Sequence, residues 1–173
     1  MKKTIKLDVD GVLRDVVTPL LEIYNDTYKD NVKHDDIIEW DISKFLKYDA
    51  KYNNMFAEYP EHIFRDGKLY NPNTSRILRE LQTEYNIHIT THQFKGLEIY
   101  TVEWLYKHKI PYDYLSFAKD KTRIRGDFLI DDGEHNLNTS LSFEEAICFD
   151  QPWNQKWNGR RIKTLDELIK RGQ

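Results

Sequence analysis

"TIKLDVDGVLRD", residues 4–15, carries an apolar run straight into a cluster of acids, and its reading decides the fold. Ile5, Leu7 and Val9 recur with the two-residue period of a short strand. Asp8 and Asp10 are also two residues apart. Both can address one site if the chain stays extended as far as Asp10. Gly11 then allows a sharp turn and close backbone approach.

Further strands follow at regular intervals. "NIHITT" reads as one, "YDYLSF" as another, then "DFLIDD" and "EEAICFD". Helical patterns separate them. "TPLLEIYNDTYKD" offers Thr18 as N-cap and Pro19 at the first helical position, with Leu20, Tyr24 and Thr27 on the inner face. "TSRILRELQTEY" places Ile77, Leu78, Leu81 and Tyr85 at helical spacing. "LEIYTVEWLYKH" does the same with Leu97, Tyr100, Trp104, Leu105 and His108. "TLDELIKRG" carries a capping box from Thr164 to Glu167. Strands alternating with helices predict a doubly wound α/β fold with a parallel sheet. Residues 16–73 break the alternation. They hold short helical pieces, turns and many aromatics, and read as a small, mainly helical insertion after the first strand. Residues 1–15 and 74–173 read as the α/β core.

In open α/β sheets the ligand crevice lies beyond the carboxyl ends of the strands. Those ends supply Asp8 and Asp10, then Thr90, Thr91 and His92, then Lys119 and Lys121, then Asp131 and Asp132. Crowded carboxylates raise one another's pKa unless a counter-charge is present. Oxygen ligands without a His or Cys pattern point to a hard ion, most simply Mg²⁺. An EF-hand loop fails on spacing, since Gly11 is fourth after Asp8 rather than sixth. No P-loop or GxGxxG fingerprint occurs.

Bulk properties exclude other classes. The 173 residues are 39% hydrophobic and 32% charged, the profile of a globular protein. A formal net charge of −3 gives no general pull toward nucleic acid or anionic membrane. The single cysteine, Cys148, excludes an internal disulfide and a thiolate zinc cluster, and reads as a small core residue. No apolar run reaches the roughly 20 residues of a membrane helix, and the start is too soon charged for a signal peptide. A cytoplasmic protein is expected, with no stable nucleic-acid partner. A homodimer is left open.

In their order, "DVDGVLRD", "HITT", "KDK" and "IDD" resemble the four motifs of the haloacid dehalogenase-like (HAD) phosphohydrolase superfamily. Within it, "KDKTRIRGDFLIDD", with Lys121 ten residues before Asp131, and "ICFDQPWN" are similar to segments of the 5′(3′)-deoxyribonucleotidase family. That resemblance implies a HAD-like Rossmannoid core with a small cap, and a Mg²⁺-dependent phosphomonoesterase acting on (deoxy)nucleoside monophosphates. It implies Asp8 as nucleophile and metal ligand. Asp10 would be general acid/base and would ligate metal through its backbone carbonyl. Asp132 would bind metal directly, with Asp131 nearby. Thr91 and Lys121 would hold phosphate, assisted by Lys95 and His92. Trp40, Phe45, Phe56 and Phe64 are candidates for a base pocket. Two departures stand out: Val16 where the family usually has phenylalanine, and His92 where it has a small residue. Arg14 is expected to point away from the site, and Asp15 to be a structural residue at the entry to the insertion. Competing readings are a phosphatase for another small phosphomonoester or a polynucleotide 3′-phosphate end, and a non-catalytic phosphate-binding module.

Overall fold

The computed structural model describes residues 1–48, 52–138 and 145–169. Its centre is a parallel sheet of six strands: β1 (Lys3–Leu7), β2 (Tyr85–Thr91), β3 (Tyr114–Phe117), β4 (Phe128–Asp131), β5 (Glu145–Phe149) and β6 (Arg161–Ile162). Their spatial order is β3-β2-β1-β4-β5-β6. The chain therefore winds outward from β1 through β2 to β3, then returns to the other side of β1 for β4, β5 and β6. Every pairing is parallel. This is the doubly wound sheet that the strand–helix alternation predicts.

The reversal places the ends of β1 and β4 side by side. Leu7 is in register with Ile130, and the Asp8 amide donates to the Ile130 carbonyl at 3.1 Å. Asp8 and Asp131 thus leave the sheet at the same level, at the topological switch point. Ile5, Leu7, Ile87, Ile89, Ile130, Ile147, Phe149 and Ile162 are the sheet's share of the main core, and Val9 joins them from just beyond β1. α3 (Thr74–Leu81) and α4 (Glu98–Lys107) close over it with Ile77, Leu78, Leu81, Trp104 and Leu105. All of these residues are nearly inaccessible, and each such side chain is worth about 1.5–3 kcal/mol when fully buried.

The path from β3 to β4 is a short connector, residues 118–127, with one 3₁₀ turn at Lys121–Arg123. It runs across the face of β1 opposite Leu7. Lys6 is fully buried beneath it and donates to the carbonyls of Lys121 (3.0 Å) and Ile124 (2.8 Å). A Cβ on Gly126 would lie 2.7 Å from Lys6 Cγ, so only glycine lets the connector lie this close. A central-strand lysine thereby fixes the turn that carries Lys121.

Residues 16–73 contain helices and turns and no named strand among the described residues: α1 (Val17–Tyr28), α2 (Tyr52–Glu58), 3₁₀ turns at His34–Asp36 and Ile42–Phe45, and a π-helical turn at Glu61–Arg65. Leu20, Tyr24, Met55, Ile63 and Phe64 form one apolar cluster there; Val17, Leu21 and Ile37 form another together with Trp153 from the later part of the chain.

Several sequence expectations need correction. Thr18 does not cap α1. The Asp15 carboxylate accepts from the Thr18 amide at 2.9 Å instead, so helix starts earlier and Pro19 lies within its first turn, where a missing N–H is harmless. Thr27 is exposed, and Val17 and Leu21 join Leu20 and Tyr24 inside. α3 ends at Leu81; Tyr85 opens β2, with its ring edge-on to Phe128. The two-residue β6 and the short α5 (Glu134–Leu137) carry no periodic signal. The Thr164–Glu167 capping box is present, but over a 3₁₀ turn at Leu165–Leu168; residues 170–173 lie outside the described residues. Cys148 is buried, as expected of a small core residue.

Candidate active site

Four charged side chains meet where β1 and β4 end. Lys121 Nζ lies 2.7 Å from Asp8 Oδ2 and 2.6 Å from Asp131 Oδ2. One carboxylate oxygen from each of Asp8, Asp131 and Asp132 falls within 4.8 Å of the others. All four residues are buried. Burial pushes the Asp8 carboxyl up to about 7, with Asp131 adding to the rise and Lys121 opposing it. Asp132 is raised well above the usual carboxylate range, again first by burial, then by Asp131 and Asp8. Burial alone would lower Lys121, but Asp131 and Asp8 outweigh it and hold its ammonium charged. One lysine against three acids leaves the cluster short of positive charge.

The hydrogen bonds of the two adjacent acids differ. Asp131 is saturated: Oδ1 accepts from the Gly133 amide (2.8 Å) and Asn136 Nδ2 (3.0 Å), and Oδ2 from Lys121 and Asn136. Asp132 Oδ2 accepts from Trp153 Nε1 at 2.9 Å, while Oδ1 is buried with no partner among the described residues. An unpartnered, buried carboxylate oxygen is costly unless something else binds it. Three carboxylates with one such oxygen fit a hard divalent cation. Asn154 holds the Asp132 carbonyl, and Gln151 Nε2 donates to the Gly11 carbonyl at 2.7 Å, so the "FDQPWN" segment braces both sides of the cluster.

Gly11 has φ +78, in the left-handed region, and a Cβ there would sit 2.2 Å from Asp132 Oδ2. The turn after β1 therefore needs glycine twice over, for its backbone and for the carboxylate against it.

A chamber of about 310 Å³ adjoins the cluster through Asp132. Asp10, His92, Gln93 and Asp132 are its polar lining; Val16, Ile42, Phe56, Phe64 and Phe94 are among its apolar walls. Phe56 stacks on Phe64 with centroids 5.6 Å apart and meets Phe94 at 5.8 Å. Large apolar walls around a few convergent polar groups are the usual form of a small-molecule site.

The candidates named from sequence divide as follows. Asp8, Lys121, Asp131 and Asp132 converge. Asp10 is on the chamber wall. Thr91, at the end of β2, is buried, and its Oγ1 has no partner among the described residues. His92 lines the chamber; burial first, then Lys119 and Lys121, lower its pKa and favour the neutral ring. Trp40 and Phe64 line the chamber too, Trp40 with its ring edge against His135. Two candidates are not brought in. Lys95 is exposed and off the chamber wall, and Phe45 packs with Val17, Leu21 and Ile37 in the insertion's own core.

Arg14 corrects its expectation outright. It is fully buried, and Nε and an amino nitrogen both lie 2.7 Å from Asp10 Oδ1. Gln93 Nε2 holds the other oxygen of Asp10 at 2.6 Å. Sequence reasoning missed Gln93 and Trp153 as site residues. Gln93 follows the "HITT" strand by two positions, the one local signal that could have drawn attention to it.

Comparison with known proteins agrees with this geometry. Residues 2–171 match the family described as "5′ nucleotidase, deoxy (Pyrimidine), cytosolic type C protein". The chain is 33% identical over 172 residues to a 5′(3′)-deoxyribonucleotidase of Bacillus subtilis, covering 96% of this chain and 95% of that one. It is 29% identical over 170 residues to a 5′(3′)-deoxyribonucleotidase of Clostridium acetobutylicum, covering 95% and 91%. Among solved structures it superposes on the HAD-hydrolase YfnB from Bacillus subtilis, described as bound to magnesium, with TM-score 0.63, 13% identity and 96% of each chain covered. At that identity the likeness is one of fold.

Proposed function

This chain belongs to the 5′ nucleotidase, deoxy (pyrimidine), cytosolic type C family of HAD-type phosphatases, and we propose that it hydrolyses deoxynucleoside monophosphates through an aspartyl-phosphate on Asp8, with Mg²⁺ as cofactor. The observation that carries this reading is the buried cluster of Asp8, Lys121, Asp131 and Asp132 beside an aromatic-walled chamber.

Asp8 is the nucleophile. Its Oδ1 accepts from the Val9 amide at 2.8 Å and its Oδ2 is paired with Lys121, so both carboxylate oxygens are held in place. One oxygen of Asp8 attacks phosphorus; a bond from Asp8 to phosphorus forms and the bond between phosphorus and the deoxyribose oxygen breaks. Asp10 donates the proton that the departing alkoxide needs. It then takes a proton from the water that attacks the phosphorylated Asp8, and free Asp8 and inorganic phosphate result. Lys121 and Thr91 hold phosphoryl oxygens; the lysine acts as a point charge in a dry site, and the Thr91 hydroxyl, without a partner among the described residues, would donate to the phosphate. His92 faces the same space as a neutral donor. Asp132 and Asp8, with the Asp10 carbonyl, would hold Mg²⁺, and saturation of Asp131 supports a role for it in orienting Lys121. When bound, Mg²⁺ neutralises phosphoryl charge so that a carboxylate can approach it.

Residues 16–73 act as the cap over a core of residues 1–15 and 74–173. The cap's Phe56 and Phe64, with Phe94 and Trp40, supply the surfaces against which a base stacks. They take the place of an aromatic at Val16.

The test is phosphate release from dUMP, dTMP, their 3′ isomers, ribonucleotides and sugar phosphates. Deoxynucleotides should be preferred, and chelation of divalent cations should abolish turnover. Asp8→Asn, purified free of wild type, should show none. Turnover by Asp8→Asn above that of a protein-free control would overturn the covalent route. A preference for sugar phosphates over every nucleotide would overturn the substrate.

A further inference from the structure

The side chain of Arg14 has no part in the reaction as described, yet it is among the most completely built features of the molecule. Its guanidinium is fully buried. Nε and one amino nitrogen reach Asp10 Oδ1, both at 2.7 Å. The other amino nitrogen donates to the Phe64 carbonyl at 2.7 Å, and a further bond of 2.9 Å goes to Thr101 Oγ1 on α4. The rings of Phe64 and Trp104 lie 5.2 Å from its central carbon. Gly67 leaves the space: a Cβ there would come within 3.0 Å of Arg14 Cγ and Cδ. Trp104 Nε1 ties the Gly67 carbonyl at 2.6 Å and closes the slot.

The two oxygens of Asp10 therefore meet different chemistry. Arginine only donates hydrogen bonds and stays protonated. Oδ1 accepts from Nε and has a second guanidinium nitrogen 2.7 Å away, so it is the oxygen by which the carboxylate is anchored. Gln93 holds Oδ2 through an amide, which donates in one orientation and accepts in the flipped one. Oδ2 thus keeps a partner that can either donate or accept, whereas Oδ1 has only donors around it. Gln93 and Asp10 both line the chamber.

We propose that Arg14 is a positioning residue for the acid–base step: it holds the Asp10 carboxylate by Oδ1 and so fixes the orientation of Oδ2, on the side shared with Gln93. This rests on the reading of Asp10 as general acid/base. Because Arg14 also grips Phe64 and Thr101, it sets that oxygen relative to both the residue 61–67 segment and α4.

The experiment is a double-mutant cycle on the full chain, with dUMP as substrate and steady-state kcat and KM measured for each variant. Asp10→Asn should lower the rate by about 10²-fold or more. Arg14→Met should lower kcat about 10- to 100-fold, the scale of a misplaced catalytic group, with KM within about twofold of wild type. In the Asp10→Asn background Arg14→Met should lower the rate no further. Arg14→Lys keeps the charge but cannot span Asp10, Phe64 and Thr101 together, so it repeats the test if the methionine variant fails to fold. An Arg14 variant with wild-type kcat would overturn the proposal, as would an equal loss with and without the Asp10 carboxylate, the mark of a purely structural brace. Wild-type turnover by Asp10→Asn would instead overturn the assignment of Asp10 on which the proposal rests.

Discussion

Gly11→Ala is the sharpest single test of how the turn after β1 makes the site. Gly11 has φ +78, and an alanine Cβ built there lies 2.2 Å from Asp132 Oδ2 and 2.4 Å from Asp132 Cγ. Holding an L-residue in the left-handed region costs about 1–2 kcal/mol. The overlap is too severe to absorb by a few tenths of an ångström, so the Asp132 carboxylate has to move. Moving it breaks the bond from Trp153 Nε1, and a hydrogen bond to a charged group contributes about 1.5–3 kcal/mol. Together these give a loss of roughly 2.5–5 kcal/mol. For a chain of this length that lowers Tm by about 5–20 °C. The functional effect falls on cation affinity, because the displaced oxygen belongs to the three-carboxylate cluster. Losing a group that orients a metal ligand typically weakens binding about 10- to 100-fold. The assay is thermal unfolding together with dUMP hydrolysis titrated against Mg²⁺. The variant should need about 10- to 100-fold more Mg²⁺ for half-maximal rate and regain activity at high Mg²⁺. Unfolding within 2 °C of wild type, at about the resolution of such a comparison, together with an unshifted Mg²⁺ curve would refute the reasoning.

Two other perturbations probe different parts of the molecule. Phe56→Ala removes a ring stacked on Phe64 at the chamber wall. Stacking a base on an aromatic side chain contributes about 1–3 kcal/mol, so KM for dTMP should rise roughly 5- to 150-fold. Competitive inhibition by inorganic phosphate should stay as in wild type; an unchanged KM would remove Phe56 from the base site. His88, bonded to Ser116 on β3 at 2.8 Å, has its pKa lowered by burial and by Lys6 on β1. Its folded pKa lies below the unfolded value near 6.5, so the unfolded chain binds more protons across that window and stability falls as pH falls. Between pH 7.5 and 5.5, Tm of His88→Gln should therefore drop less than that of wild type, and equal drops would show that His88 does not contribute.

The sheet was legible because its signals are local. Alternating apolar residues mark β1 and β2, a short apolar run marks β4, and the rule that ligands sit beyond strand ends joins Asp8 to Asp131 across more than a hundred residues of chain. Lys121 was reachable from its ten-residue spacing to Asp131. What the sequence concealed depends on contacts between distant segments. Arg14 sits in a turn where arginine is normally solvated, and only Phe64, Thr101 and Trp104 together bury it. Lys6 looks like the polar half of an alternating strand until the connector from β3 closes over it. Phe45 and Phe56 are equivalent as sequence, both aromatic in a segment without strong periodicity; packing sends one into an apolar cluster and the other to the chamber. Asp15 and Thr18 are both good caps, and the choice between them turns on which side chain reaches the amide.

The insertion leaves and re-enters the core at one place. The Asp15 amide donates to the Lys68 carbonyl at 2.9 Å, the Tyr70 amide to the Leu13 carbonyl at 3.0 Å, and Arg14 bridges to Leu69 between them. A segment whose two ends are clasped together can be lengthened, shortened or exchanged for another without displacing the strands that carry Asp8 and Asp131. Closing a longer loop between the same endpoints adds only about 0.6 kcal/mol per doubling of length. Substrate range in such a molecule can therefore evolve by swapping a cassette while the chemistry stays untouched. The ties from Arg14 to the Phe64 carbonyl and from Trp104 to the Gly67 carbonyl set conditions on that freedom: a replacement segment has to bring hydrogen-bond acceptors back to the same points.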